Sequence, residues 1–292
     1  MPGRKPPAKP ELIRAESLAA LPWLLHGFST RVGGVSKAYG GSALNLGFTD
    51  ADTRKAVEQN RALFLAAVQG GASKRTETLV PLKQVHSDTI HVVESPPKRP
   101  RVGDGQITRA RGLLLAVQTA DCLPVMLVDP QHRAVGIFHA GWRGTLARIV
   151  EKGVAAMRLH FRSDTGKLLA AIGPGIHSCC YTVGEEVRDR FASQFGYAEE
   201  LSRKVFESDP VRKKYPLLFL TARAPGHTEF GPKLHLDLVA ANRRQLLDAG
   251  LLRRNLWASP LCTSCRTDLL FSHRKEKGVT GRMMGVVGIR NV

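Results

Sequence analysis

Three apolar runs set close together, Gly112–Thr119, Leu123–Asp129 and Ala134–His139, constrain the fold more than any other feature of this sequence. They are of strand length and lack the polar alternation of a half-exposed strand, so each is expected to be a strand buried on both faces. Further strands are expected at Leu79–Val85, Thr89–Val93, Lys167–Gly173, Arg254–Ala258 and Arg282–Arg290. Helices are expected at Ala51–Gln69, Gly184–Tyr197 and Leu236–Leu247. After Gly144, apolar side chains recur at Leu146, Ile149, Val150, Val154, Met157 and Phe161, the three- and four-residue steps of one helical face. These elements are too irregular for a barrel or for strict βαβ repetition. The expected fold is α/β (α+β), a single compact domain of mixed β-sheets flanked by helices over residues 17–292. A mobile basic tail is expected over residues 1–16, because Met1–Pro10 holds four prolines and three basic residues.

With 292 residues, 43% of them hydrophobic, the chain can bury a real core. No apolar run approaches the ~20 residues that cross a bilayer. The Leu18–Leu25 run is short, contains Pro22 and is followed by no small-x-small cleavage pattern, so a cytoplasmic location with no membrane partner is expected. Five cysteines, an odd number without a signal sequence, argue for reduced thiols over a disulfide framework. The formal charge of +18 attracts anions. Its basic residues come in small scattered clusters without interleaved aromatics, so no specific nucleic-acid partner is expected.

The polar residues that interrupt apolar runs carry the functional signal. Asp121 and Cys122 stand between two runs, His139 ends the third, and His86 follows the run from Leu79. Adjacent strand ends can bring His86, Cys122 and His139 to one place. Two imidazoles and a thiolate make a sound zinc set, and three protein ligands leave a fourth position open for water or substrate. None of the three lies in a short local metal motif, and hydrogen-bonded core histidines are the alternative reading. Cys262-x-x-Cys265 competes for a metal, but it is half a zinc ribbon without a second pair, and two thiols near a turn explain it as well. Glycine-rich stretches beside arginine can hold phosphate through backbone N–H groups and a bidentate guanidinium. Three qualify: Thr30–Gly34 with Arg31, Gly141–Gly144 with Arg143, and Gly281–Arg282. Arg143 stands where a helix begins, a favourable place for an anion. Turn formation with a surface arginine accounts for any one of them taken alone.

The motifs together resemble a known family. They are Thr-Arg-x-Gly-Gly-Val-Ser at 30–36, Ala-Leu-Asn-Leu-Gly at 43–47, Lys-Gln-Val-His at 83–86 and Thr-Ala-Asp-Cys-Leu-Pro at 119–124. His-Ala-Gly-Trp-Arg-Gly-Thr at 139–145, Ala-Ile-Gly-Pro at 171–174, Cys-Cys-Tyr-x-Val-Gly at 179–184 and Thr-Gly-Arg-Met at 280–283 follow in the family's order. The family is the laccase-domain, or multicopper polyphenol oxidase, family, also described as purine nucleoside phosphorylases of that domain and as peptidoglycan editing factors. The resemblance implies a single α/β domain with a metal on His86, Cys122 and His139. It also implies phosphorolysis of adenosine, inosine, guanosine and methylthioadenosine, together with deamination of adenosine. Ser87 departs from the family's usual Gly, His273 from a Tyr and Gly103 from an Ala, which bears on substrate preference more than on activity.

On this reading the partners are purine nucleosides and phosphate, and the cofactor is zinc, with copper the weaker candidate because the ten histidines include no H-x-H pair. Arg31, Asn45 and Arg143 are the expected phosphate holders, and Gln84 joins them as a substrate contact. Asp121, Cys122 and His139 are the expected catalytic residues, with Asp121 protonating the departing base. Asp104 or Asp121 would move protons during deamination. Other classes stay open: a Cys122/His139 hydrolase acting on peptidoglycan precursors, a copper-dependent polyphenol oxidase, and a basic binding protein with a vestigial site. Both monomer and dimer are compatible with the sequence.

Overall fold

The computed structural model describes residues 9–70, 77–205 and 233–291. Residues 1–8 of the expected tail lie outside them. Within the span expected to form one domain, two compact units are distinguished: residues 1–177 with 238–292, and residues 178–237.

The larger unit is built on two six-stranded mixed sheets. The first has the order β1 (Leu12–Ile13), β2 (Leu24–Ser29), β16 (Met283–Ile289), β8 (Leu113–Thr119), β4 (Thr78–Lys83), β6 (Arg101–Val102). The second has the order β15 (Leu256–Ala258), β11 (Leu169–Ile172), β9 (Leu123–Asp129), β10 (Ala134–Ala140), β7 (Gly105–Thr108), β5 (Ile90–Val92). A further strand, β3 (Val32–Ser36), lies in the loop after β2. The three defining apolar runs are β8, β9 and β10, and every residue of β9 and β10 is buried, as their lack of alternation requires.

Side-chain period two sorts the core into layers. In β8, Leu113, Leu115 and Val117 point inward, where they meet Met126 and Val128 of β9 and Val135 and Ile137 of β10. Leu114 and Ala116 point outward and join Met284 and Val286 beneath Phe64 and Val68 of α2 (Arg54–Gln69). Thr53 caps that helix through its side chain and Gly70 closes it in the left-handed region, so it starts three residues later than expected. A second helix, α4 (Ile149–Phe161), covers the other sheet, and its Gly153 lies so close to the Phe138 ring that a Cβ there would come within 2.5 Å of it.

The helix expected to run on from Gly144 is two helices, α3 (Trp142–Leu146) and α4, separated by Arg148 in the left-handed region (φ 60, ψ 41). The Thr145 carbonyl, which in a continuous helix would accept from residue 149, accepts instead from Gln245 Nε2 (2.8 Å) and Arg148 N. Gln245 belongs to the helix Leu238–Asp248, whose Asn242 also donates to the Thr145 hydroxyl. This tertiary link displaces the local helical bond.

The smaller unit contains an antiparallel sheet in the order β12 (Thr182–Val183), β14 (Lys233–Leu236), β13 (Ser202–Val205), with two helices at Glu185–Gln194 and Ala198–Leu201. Such short strands carry too little pattern to be legible in sequence. Among the described residues no helix is long and apolar enough to cross a membrane.

Strand direction gathers the chemistry at one end of the larger unit. β4 and β8 are parallel and β16 is antiparallel to β8, so the ends of β4 and β8 and the start of β16 share an edge. Three residues separate β8 from β9, and β9 is antiparallel to β10, which brings the start of β9 and the end of β10 to that same edge. His86, Cys122, His139 and Arg282 all fall there.

Candidate metal centre

The ligand atoms of His86, Cys122 and His139 lie within 4.8 Å of one another. His86 Nε2 is 3.9 Å from Cys122 Sγ, and the two imidazoles meet edge to face with centroids 4.9 Å apart. Tetrahedral zinc, with bonds of ~2.3 Å to sulfur and ~2.0 Å to nitrogen, sets such S and N atoms about 3.5 Å apart. The donors therefore already stand near the separation an ion would impose. His139 is buried, Cys122 partly exposed and His86 exposed, so the trio opens outward on the His86 side.

Asp104, fully buried, organises the centre. Its carboxylate accepts from Val85 N (3.1 Å), His86 N (3.0 Å), Ser87 N (2.7 Å), Ser87 Oγ (2.8 Å) and His139 Nδ1 (2.8 Å). One side chain thus shapes the loop that presents His86 and fixes the His139 tautomer, leaving Nε2 for a metal. Ser87, a departure from the usual glycine, adds a hydroxyl donor. His86 itself holds φ 60, a conformation costing of order 1–3 kcal/mol that the bonds to Asp104 sustain. Burial alone would raise the Asp104 carboxyl, but the bonds from His139, Ser87 and Val85 outweigh it and hold it well below the usual carboxylate range. It stays an anion and has no proton to deliver.

The same neighbours activate the thiol. Burial would push Cys122 up, but the charge of His139 and hydrogen bonds from His139 and His86 prevail and bring it down to about 6. For His139, burial is outweighed by the Cys122 thiolate and Asp104, and the imidazole is raised to about 9. Near neutral pH the metal-free centre is therefore a thiolate–imidazolium pair, and the sulfur needs no strong base to become a ligand. In metal-stripped protein, peptide mapping of alkylated cysteines should show Cys122 labelling rising with a midpoint near pH 6. A midpoint near the ordinary thiol value of about 8.5 would contradict the pairing.

The other sequence candidates are placed as follows. Asp121, at φ 95, accepts from Thr263 Oγ1 (2.6 Å), Ser272 Oγ (2.7 Å) and Arg274 N (2.6 Å), and so ties the Cys122 turn to the 263–274 loop. Arg31 donates to Thr267 O, Tyr39 O and Glu276 Oε1, and lies over the Phe271 ring. Asn45 is buried with both ends of its amide bonded, to Gly47, Asp52 and Arg282 N. Gln84 exchanges two hydrogen bonds with the backbone of Gln118, which fixes the approach to His86. Arg143 is exposed and stacks on Trp142, its guanidinium 4.2 Å from the ring centroid. Cys262 is buried and accepts from His177 N, whereas Cys265 is exposed.

Two residues at the centre gave little signal in sequence. Asp104 entered only as a proton carrier. Gly141 entered only as part of a motif, yet a Cβ on it would stand 2.8 Å from Cys122 Sγ and 3.2 Å from His86 Cδ2.

Known proteins resemble this chain in sequence and in fold. A protein named purine nucleoside phosphorylase from Deinococcus radiodurans is 38% identical over 95% of this chain and 92% of its own length. Adenosine deaminase RL5, from an unknown prokaryotic organism, is 34% identical over 61% of this chain and 59% of its own length. The crystal structure of the Bacillus licheniformis hypothetical protein YfiH superposes with a TM-score of 0.76 at 31% identity, covering 91% of this chain and 93% of that one. The family model for multi-copper polyphenol oxidoreductase laccase matches residues 25–290, and the chain belongs to that family.

Proposed function

We propose that this enzyme is a zinc-dependent purine nucleoside phosphorylase acting on adenosine, inosine, guanosine and methylthioadenosine, with adenosine deaminase activity at the same centre. The observation that carries the reading is the set of three convergent donors, His86, Cys122 and His139, open to the outside and backed by Asp104. Zinc bound there supplies Lewis acidity to a group in its remaining position. Two neutral imidazoles and one thiolate suit it, and Asp104 orients His139 as ligand-bearing histidines require.

In phosphorolysis a phosphate oxygen bonds to the anomeric carbon as the bond from that carbon to the purine nitrogen breaks. The electron pair leaves with the nitrogen, which takes up a proton, and the products are free base and pentose 1-phosphate. Gln84 holds the His86 loop in register, and Arg143, exposed and stacked on Trp142, would meet an anion or a base edge. Arg31 and Asn45, bonded as they are, shape the neighbouring loops. Asp121 steadies the turn that carries Cys122, and in this reading the proton for the purine comes from water. The name of the deaminase relative supports the second activity, in which water replaces the purine amino group and ammonia leaves.

A second reading has its own observation. Asp104, His139 and Cys122 form an acid–imidazole–thiol relay, the arrangement of a thiol hydrolase. A metal on the thiolate would blunt it as a nucleophile, so metal content separates the two. Metal analysis of purified protein should find about one zinc per chain. Base release from inosine should require phosphate and stop on chelation. Zinc-loaded protein that releases no base, or releases it equally well without phosphate, would sink the phosphorylase reading.

A further inference from the structure

Arg282 and Arg61 lie on the α2 side of the first sheet with hydrogen-bonding capacity that no group among the described residues uses. Continuing the β16–β8 register by one residue sets Arg282 beside Ala120, two residues before Cys122. Facing Cα atoms in such a pair are about 5 Å apart. Two further residues add at most about 7 Å, so the Arg282 backbone lies within about 12 Å of Cys122 before its own side chain extends. Arg282 Nη1 donates to the carbonyls of Thr280 and Gly281, which orients the guanidinium and leaves Nε and Nη2 without an acceptor among the described residues. Its aliphatic stem lies flat against Gly47, where a Cβ would fall 2.5 Å from Arg282 Cγ and 2.8 Å from Gln118 Oε1.

Arg61, on the second turn of α2, approaches the same segment from the helix side. Its Nε donates to Leu46 O (2.9 Å), while Leu46 N donates to Arg282 O (2.9 Å), so one residue ties the two arginines together. The Arg61 guanidinium lies 4.4 Å from the centre of the half-exposed Phe48 ring, which covers its face and leaves its edge donors open. The neighbouring carboxylate, Glu58, bonds Arg54 at 2.8 Å. The half-buried Arg61 guanidinium is lowered below its ordinary value by burial, which outweighs the opposing pull of Glu58, with a smaller lowering from Arg54. Two partly buried guanidiniums with planar donors unused among the described residues, and no carboxylate hydrogen-bonded to either, are a poor stability device and a good oxyanion receptor. The side-chain amide of Gln118, beside Gly47, makes no hydrogen bond among the described residues, and it faces the same place.

We propose that Arg282 and Arg61, with Gln118, form a subsite for a tetrahedral oxyanion, inorganic phosphate, beside the His86/Cys122/His139 centre. The assignment rests on the phosphorolysis reading for its ligand, and it places the anion on the α2 side of the centre. Arg31, in contrast, has its guanidinium bonded to three acceptors.

The test is calorimetric titration of inorganic phosphate into zinc-loaded protein, with Arg282→Gln and Arg61→Gln as variants. Thermal melts verify that each variant folds. Phosphate affinity should fall at least about tenfold in each, the loss expected when one charge-assisted bond is removed. Arg282→Lys should recover part of it. In steady-state phosphorolysis the KM for phosphate should rise similarly, with the KM for inosine within about twofold of wild type. Folded variants that bind phosphate as the wild type does overturn the subsite, even if the wild type phosphorolyses inosine. A wild type that binds phosphate through these arginines but releases no base overturns the phosphorolysis reading alone. A wild type that binds no phosphate overturns both.

Discussion

Asp104→Ala is expected to lower stability by about 3–5 kcal/mol, because it removes one partner of a buried charged network and leaves the other uncompensated. Three backbone N–H groups, at residues 85, 86 and 87, and His139 Nδ1 would lose their acceptor together. In a chain of this size the loss corresponds to a fall in melting temperature of roughly 10 °C. Zinc affinity should drop with it by about 10–100-fold, the range found when the partner of a ligating histidine is removed. Asp104→Asn is the sharper variant: it keeps the volume, offers one acceptor oxygen and places an amide NH2 against donors. It should recover part of the stability and little of the metal affinity. If both variants melt like the wild type and hold zinc as tightly, Asp104 is not the organiser of the centre.

Gly141→Ala should do the opposite, sparing the fold and destroying the site. Its φ of −78 and ψ of 178 are extended backbone that any residue adopts, so glycine is needed there for space. The added methyl would lie 2.8 Å from Cys122 Sγ, at least half an ångström inside normal contact, and the sulfur would have to give way. A ligand displaced by that much lies outside the tolerance of about 0.2 Å that a metal site accepts. Zinc affinity and base release should fall by about 100-fold or more, as misplacement of about 1 Å at a reacting centre can cost that much. The melting temperature of the metal-free protein should move by less than about 3 °C. Full activity with normal zinc content would show that the sulfur can move freely and that Gly141 is not the floor of the centre.

Much of the fold was written plainly in the chain. Runs that are apolar at every position, such as Leu123–Asp129, have to be covered on both faces, and the two-sheet core with flanking helices follows from them. Cys122 and His139 were legible for the same reason, since a thiol and an imidazole at the ends of buried runs stand out against their surroundings. Features fixed by distant partners were not legible. The break at Arg148 depends on Gln245 competing for one carbonyl, and periodicity alone carries the helical face straight through it. Arg31 and Asn45 sit in glycine-rich loops that look open in sequence, yet their donors and acceptors are bonded to groups such as Thr267, Glu276 and Arg282 from far along the chain. Arg61 gave no signal at all, because within a helix it reads as one more solvated cation. Its contact with the Leu46–Phe48 turn is what sets it apart.

The position of β16 has a consequence for biogenesis. The strand lies between β2 and β8, in the interior of the first sheet, although it comes from residues 283–289. While the ribosome is still adding those residues, β2 and β8 have no partner on their facing edges, and the apolar layers above and below are open. The chain must therefore hold β2 and β8 in an unfinished, aggregation-prone state until residues 283–289 have been made. Because Arg282 leads into that same strand, closure of the sheet and the arrival of Arg282 at the edge that carries the candidate centre are one event. A nascent chain holds His86, Cys122 and His139 well before it reaches Arg282.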